Sequence, residues 1–437
     1  MRIGAAPAVD GRASGPAKPK PARRIAPRLS QNTRSMNIAI IGAGIIGVTT
    51  AYELAADGHQ VTVFERHASV AEEASFAPAG LLAPCATAPF LASHPGQSRW
   101  RQLLSQQAIP QLRHPFSRAD AAWRRQLRRT TEAPAFGQDL AGLIRLALFS
   151  RARMEALTER LDYDLDRSSG SLWLLRGERE RELAQPELAR LRALDIPWHE
   201  ISAEEARQIE PALHIGTPLA GAIHFPQDEV GNCRQFAIIV RDAAERLGAR
   251  FAFNASVAGI QHHQSAIVIL ADEEKCSFDA AIICAGSAAD ELLSPLGVPL
   301  AMRPIWGYSI SAAIPEAVWA PRSAVVDRRH QVCISRLGQR VRVSGGAEVG
   351  GRADSLNDRA VELLYQVLAD WFPAAARLSS GVQTWKGARP TLASGLPLIG
   401  PSGVPRVWVN IGHGGQGWSL ACGAARWLAD QVADTPS

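Results

Sequence analysis

Cysteine and long apolar runs are both scarce in this 437-residue chain, and each shortage removes a class of protein. The six cysteines (85, 233, 276, 284, 333 and 422) form no C-x-x-C pair and no Cys/His spacing suited to a metal, so neither a disulfide scaffold nor a metal site is expected. They read as buried or free thiols of a reducing compartment, which places the protein in the cytoplasm. No run approaches the roughly 20 apolar residues of a membrane span, since the most apolar early stretch, 38–48, is short and broken by glycines. A basic body is lacking as well. The formal charge is +5, but residues 1–35 hold eight Lys/Arg against one Asp, a net of +7, which leaves the other 402 residues at −2. Nothing in that body argues for a polyanion, and no nucleic-acid partner is expected.

The same tail contains five prolines and no aromatic residue. It cannot bury enough surface to offset the entropy of ordering, so disorder is expected over 1–35. Arg23 and Arg24 are not followed by the apolar stretch that a twin-arginine signal needs, and Pro16, Pro19, Pro21 and Pro27 break any amphipathic transit helix. Met36 stands directly before the first convincing strand and is favoured as the start site. The chain as a whole is 46% hydrophobic, enough for two domains or one domain with an inserted layer.

From Asn37 the chain reads N-I-A-I-I-G-A-G-I-I-G-V-T-T-A-Y-E-L-A-A-D-G-H-Q-V-T-V-F-E-R, a strand, a glycine turn, a helix and a second strand. Gly42 permits the tight turn, Gly44 lets the backbone approach a pyrophosphate, and Gly47 lets helix and strand pack closely. The phosphates then rest on a helix N-terminus, whose unpaired N–H groups favour negative charge. Glu65 closes the second strand, where a carboxylate accepts from both ribose hydroxyls. The context makes this a dinucleotide fingerprint, although the fingerprint alone does not separate FAD from NAD.

Further on, 136–161 has helical periodicity, 170–175 reads as a strand, Ser202 with Glu205 forms a capping box, and 234–247 reads as a helix. Short strands separated by polar turns fill 251–270. The run D-A-A-I-I-C-A-G (279–286) is apolar throughout, as expected of a buried parallel strand. Strands near 306–311, 331–335 and 340–345 precede a helix over 356–372. Antiparallel strands lying between nucleotide-domain segments point to a second, substrate-facing sheet. Residues 407–428 then read strand, glycine loop, helix. Gly412, Gly414 and Gly417 repeat the G-x-G-x-x-G spacing, but no second strand with a ribose acid comes after them, so a second complete dinucleotide site is rejected. The loop instead brings backbone N–H groups and a positive helix end to the first site. His413 within it is read as a loop residue set by backbone geometry, not as a base.

These segments, together with S-F-A-P-A-G-L-L-A-P (75–84), P-Q-D-E-V-G-N-C-R-Q-F (226–236), P-I-W-G-Y-S-I (304–310), G-A-R-P-T-L-A-S-G-L-P-L-I-G (387–400) and G-H-G-G-Q-G-W-S-L-A-C-G (412–423), carry a family resemblance. The chain resembles the flavin amino-acid oxidoreductases of the D-amino acid oxidase fold, nearest their bacterial dehydrogenase branch, from about Met36 to about Ala433. The resemblance implies an α/β and α+β architecture. A GR2-type Rossmann-like FAD-binding domain (about 36–100, 210–300 and 385–437) is interleaved with a mixed antiparallel-sheet substrate domain (about 100–210 and 300–385).

It also implies noncovalent FAD, with cofactor contacts at Gly42, Gly44, Ile45, Ile46, Gly47, Glu65, Arg66, Ser75, Val257, Gly286, Gly412, Gly414, Gly415 and Gly417. Arg389 corresponds to the family arginine that pairs with the substrate carboxylate, for which a planar guanidinium supplies two parallel hydrogen bonds. Tyr308 corresponds to a tyrosine that adds a hydrogen bond to the same carboxylate, with a core tyrosine as the competing reading. The implied reaction is oxidative deamination of a D-amino acid to a 2-oxo acid and ammonia, by hydride transfer from Cα to flavin N5. The electrons pass to a quinone or carrier protein, with peripheral contact to the inner membrane, and an oligomer is left open. Pro78, Leu81, Leu82 and Trp306 depart from the dehydrogenase pattern, so substrate preference stays open. No cysteine lies near the R-P-T-L-A-S turn where monomeric sarcosine oxidases attach their flavin. Glycine, sarcosine or D-proline (hydroxyproline) oxidation on the same fold, an NAD-dependent dehydrogenase and a noncatalytic FAD-binding subunit are the rival readings.

Overall fold

Glycine-punctuated apolar strands and amphipathic helices assemble as two large sheets, in a computed structural model that describes residues 35–84, 111–133, 135–163, 167–263, 266–272 and 274–434. The basic tail through residue 34 and Cys85 lie outside the described residues. Strands are numbered in chain order. β1 (Asn37–Ile41), β2 (Gln60–Glu65), β8 (Arg250–Phe253), β12 (Ala280–Ile283), β18 (Leu398–Pro401) and β19 (Val407–Ile411) form the first sheet. Their order is β18-β19-β12-β1-β2-β8. β1 runs parallel to both β2 and β12, and β12 parallel to β19, as in a sheet covered on both faces, and its central strands are largely apolar. All four residues of β12 are buried, in agreement with the uninterrupted apolar run. The helices Ile45–Ala56, Cys233–Arg246 and Gly417–Ala433 pack on one face and share a core with Met154 and Leu157 of the helix Phe136–Leu161. A three-stranded sheet of β9 (Val257–His262), β10 (Ile267–Ala271) and β11 (Glu274–Phe278) joins the core on the other face.

The second sheet is longer. β3 (Leu81–Leu82), β5 (Ser168–Leu175), β7 (Gly221–Val230), β13 (Met302–Ala313), β14 (Ala324–Asp327), β15 (Val332–Leu337), β16 (Arg340–Gly350) and β17 (Gln383–Leu392) run in the order β17-β13-β16-β15-β14-β5-β7-β3. β4 (Gln111–Arg113) and β6 (His199–Ile201) attach at β16 and β7. Alternation fixes its two faces. Tyr308, Ile310, Val325, Ile334 and Val343 point to a core closed by the helix Asp358–Trp371. Ala324, Cys333 and Leu337 point the other way, toward the 79–81 segment.

Several local expectations hold in detail. The helix over 136–161 is Phe136–Leu161, and the Ser202 hydroxyl accepts from the Glu205 amide at 3.1 Å while the Glu205 carboxylate accepts from the Ser202 amide at 2.8 Å. The helix Glu178–Ala193 was hidden in the sequence by its charged start and by Pro186 inside it. Tertiary burial of Ala184, Leu188 and Leu191 overrides those local signals. Among the described residues no helix is long and apolar enough to cross a membrane, no group of His, Cys, Asp and Glu is arranged to hold a metal, and the five cysteines are free thiols.

Candidate active site

A continuous cavity runs from the glycine turn after β1 to the β13–β17 pair. At its nucleotide end, Gly42 has φ +102°, and a Cβ there would stand 2.7 Å from the Cys284 carbonyl oxygen. A Cβ on Gly47 would stand 1.9 Å from the Gly42 carbonyl oxygen, so helix and turn pack only because both residues are glycine. Gly44 differs. Its missing side chain would meet only the Ser75 hydroxyl, at 3.5 Å, which leaves the backbone open to the cavity. The Ser75 hydroxyl accepts from the Ile45 amide at 3.1 Å, in the first turn of the helix.

Glu65 is buried at the cavity wall, held by the Ala43 amide at 2.7 Å and the His67 amide at 2.9 Å, one on each carboxylate oxygen. Each oxygen keeps a second lone-pair direction for a ribose hydroxyl. Arg66, the next residue, pairs with Glu73, to which His67 also bonds. Ile45, Ile46, Val257 and Gly286 line the same wall, and a side chain added at Gly286 would meet nothing within 4 Å.

The C-terminal loop closes the cavity opposite. Gly412 has φ +77°, and a Cβ there would stand 2.6 Å from Leu392 Cδ1, so glycine at 412 lets the loop approach β17 closely. Gly414, Gly415 and Gly417 continue along the wall, where the last helix begins. His413 bridges to Thr391 and is buried, and desolvation pushes its pKa down to about 3. The neutral ring is a poor base at neutral pH. Thus every residue singled out for cofactor contact lines the cavity except Gly47, which lies beneath it.

At the other end, β13 and β17 pair with Ile305 opposite Arg389 and Gly307 opposite Gly387. The guanidinium of Arg389 lies over Gly307, and Nη1 donates to the Gly346 carbonyl at 2.6 Å. Burial lowers its pKa to about 10, so it remains a cation at neutral pH. The same register corrects the reading of Tyr308. Residues 305, 307, 387 and 389 share one face of the sheet, so Tyr308, opposite Lys386, takes the other. Its ring is 2% exposed in the core under the helix Asp358–Trp371, and its hydroxyl donates to Glu348 at 2.9 Å. Burial and that carboxylate both raise its pKa. Tyr308 reaches the cavity only through its place in the strand and does not turn its hydroxyl toward the group that Arg389 faces. Gly307, which makes room for Arg389, was missed. Its only signal in the sequence was a glycine in each of two neighbouring strand motifs.

The cavity fits a dinucleotide bearing a polar ring system. Among the described residues, Ser287 Oγ, Ser344 Oγ, Trp385 Nε1, Asn410 Oδ1 and His413 Nε2 are buried on its walls without a hydrogen-bond partner. Buried polar atoms of this kind call for a ligand with matching groups. The glycine cradle and Glu65 suit pyrophosphate and ribose, and the chamber beyond, with Arg389, suits a small carboxylate.

The chain is similar to known proteins over nearly all of its described length. The family model described as DAO, FAD dependent oxidoreductase, matches residues 37–431. A D-amino acid dehydrogenase of Rhizobium johnstonii is 33% identical over 401 residues, spanning 91% of this chain and 96% of that protein. One from Rhizorhabdus wittichii is 34% identical over 401 residues, with the same 91% and 96%. The crystal structure of glycine oxidase from Geobacillus kaustophilus superposes with a TM-score of 0.72 at 23% identity, covering 93% of this chain and 96% of that one.

Proposed function

This chain belongs to the DAO family of FAD dependent oxidoreductases, and from that premise we propose that it oxidises D-amino acids to 2-oxo acids and ammonia. The observation that carries the reading is the Arg389 guanidinium laid across Gly307 in the cavity. Relatives at 33–34% identity that are named D-amino acid dehydrogenases support the substrate class.

FAD, which Gly42, Gly44, Glu65 and the Gly412–Gly417 loop would hold, would supply a two-electron acceptor for the hydrogen on the substrate's Cα. The chain's own residues do the rest. Arg389 grips the substrate carboxylate through two parallel hydrogen bonds and thereby fixes which face of Cα is presented. The amine enters neutral, so no side-chain base is required, in keeping with a His413 ring that resists protonation. The loop Gly412–Gly417 and the first turn of the last helix set amide groups and a positive helix end against the cavity. The imino acid released takes up water, loses ammonia and becomes the 2-oxo acid. A quinone or another carrier would be the electron acceptor.

The test is anaerobic mixing of the purified yellow protein with D-alanine, L-alanine, glycine, sarcosine and D-proline in turn, while monitoring the flavin absorbance. Bleaching by D-alanine but not by L-alanine is expected. A protein that holds FAD yet is bleached by none of the five would overturn the substrate class.

A further inference from the structure

The segment Pro78–Leu81 walls the cavity, and its four consecutive carbonyls are all held from behind. Arg342 Nη1 donates to Pro78 at 3.1 Å, Ser335 Oγ to Ala79 at 2.6 Å, Trp418 Nε1 and the Gly231 amide to Gly80 at 3.1 and 2.9 Å, and Ser419 Oγ to Leu81 at 3.4 Å. Donors from β15, β16, the turn after β7 and the last helix therefore converge on one short loop. Only one of them is charged.

Arg342 stands on the cavity face of β16, two residues before the cavity-lining Ser344, while Val341 and Val343 point into the opposite core. Burial draws its pKa down to about 10, which still leaves it a cation at neutral pH. Among the described residues no carboxylate neutralises it. The groups it senses are Arg340, another cation, and Cys233, whose thiol burial keeps protonated. Its Nε has no hydrogen-bond partner. A desolvated charge without a counter-ion is costly, and in a low-dielectric interior its field reaches neighbouring groups with little screening. Such an arrangement is stabilised by negative charge arriving nearby. The cavity on the other side of this wall from Arg342 is where that charge would arrive, because FAD would gain negative charge on taking up an electron pair.

We propose that Arg342 is a positioning residue of the cofactor site, which fixes the Pro78–Leu81 wall through Pro78 and raises the reduction potential of bound FAD by its uncompensated charge. This rests on FAD as cofactor and not on the identity of the amino-acid substrate, so it stands or falls separately from the proposed reaction.

The experiment compares Arg342→Lys with Arg342→Gln as purified holoenzymes, reading the two-electron midpoint potential by anaerobic equilibration with indicator dyes and no amino acid present. Both variants keep a donor for the Pro78 carbonyl, but only lysine keeps the charge. The expected result is a wild-type potential for lysine and a lower one for glutamine, displaced by at least tenfold in the reduced-to-oxidised equilibrium, or ~30 mV for a two-electron couple. Equal potentials in the two variants overturn the proposal. Where the glutamine variant does not retain FAD, Arg342→Asn provides a second neutral variant that keeps an amide donor for comparison against lysine.

Discussion

The guanidinium of Arg389 rests on the backbone of Gly307 so closely that a methyl group at residue 307 would stand 2.2 Å from Nη2. One strand's lack of a side chain is what allows its neighbour's arginine to lie flat at the cavity. Gly307→Ala is therefore expected to displace the guanidinium while leaving the nucleotide end untouched. Steady-state assays with a dye acceptor should show kcat/KM falling about 10²-fold, the order of loss that a misplacement near 1 Å produces. FAD content should not change.

Arg389→Met removes the proposed carboxylate partner itself. A fall in kcat/KM of about 10²-fold is expected for amino acids, the ~3 kcal/mol of a charge-assisted bond. The corresponding amine without a carboxylate should show no such fall. If the variant discriminates between the two as wild type does, Arg389 is not the anchor.

Gly44 and Gly47 make a contrasting pair. Alanine at 47 collides with the Gly42 carbonyl oxygen at 1.9 Å, whereas alanine at 44 meets only the Ser75 hydroxyl at 3.5 Å. Gly47→Ala should lower thermal stability as well as FAD affinity. Gly44→Ala should retain the melting temperature of the cofactor-stripped protein and lose at least tenfold in FAD affinity, as read by fluorescence titration.

Glu53 ties the first helix to two others. It is buried at 1% exposure and accepts from Arg153 at 2.8 and 2.7 Å and from Arg426 at 3.1 Å. Glu53→Gln removes the carboxylate that Arg153 and Arg426 share, but Arg426 keeps Asp57 and Asp430, so a destabilisation of about 1–3 kcal/mol is expected in urea unfolding.

His413 makes stability depend on pH in a defined direction. The folded protein holds its ring neutral down to about pH 3, whereas the unfolded chain takes up the proton near 6.5. The unfolded state binds more protons between those values, so the contribution is complete above about pH 6.5 and is lost as pH falls toward about 3. Thermal melts across that window should show a shallower slope for His413→Asn than for wild type.

The nucleotide end was legible in the sequence because its parts are close together: a strand, three glycines and Glu65 fall within 29 residues of Asn37 and need no partner to be recognised. The substrate end was legible only in part. Motifs 304–310 and 387–400 flagged the right segments, although only the first was read as a strand; which side chain meets which depends on pairing register between residues about 80 positions apart, and neither motif states it. Register places Arg389 over Gly307 and turns Tyr308 to the opposite face, toward Glu348. Arg342 gave a weaker sign, a charged residue alternating with valines in R-V-R-V-S, where alternation alone does not say which face is buried. The helix Glu178–Ala193 was lost to its internal proline.

β19 lies directly beside β12, and the last helix touches the first through a 3.3 Å hydrogen bond from Thr49 to the Ala421 carbonyl, while Asn410 at the end of β19 donates to Thr50 at 3.2 Å. On the ribosome this has a consequence for timing. The βαβ unit that recognises the nucleotide emerges early, yet the wall opposite it begins 347 residues after Glu65, at Gly412. A nascent chain halted before residue 412 would carry the fingerprint and lack half of the cradle. Cofactor capture is thus expected only after the loop 412–417 has been made, far behind the fingerprint it faces.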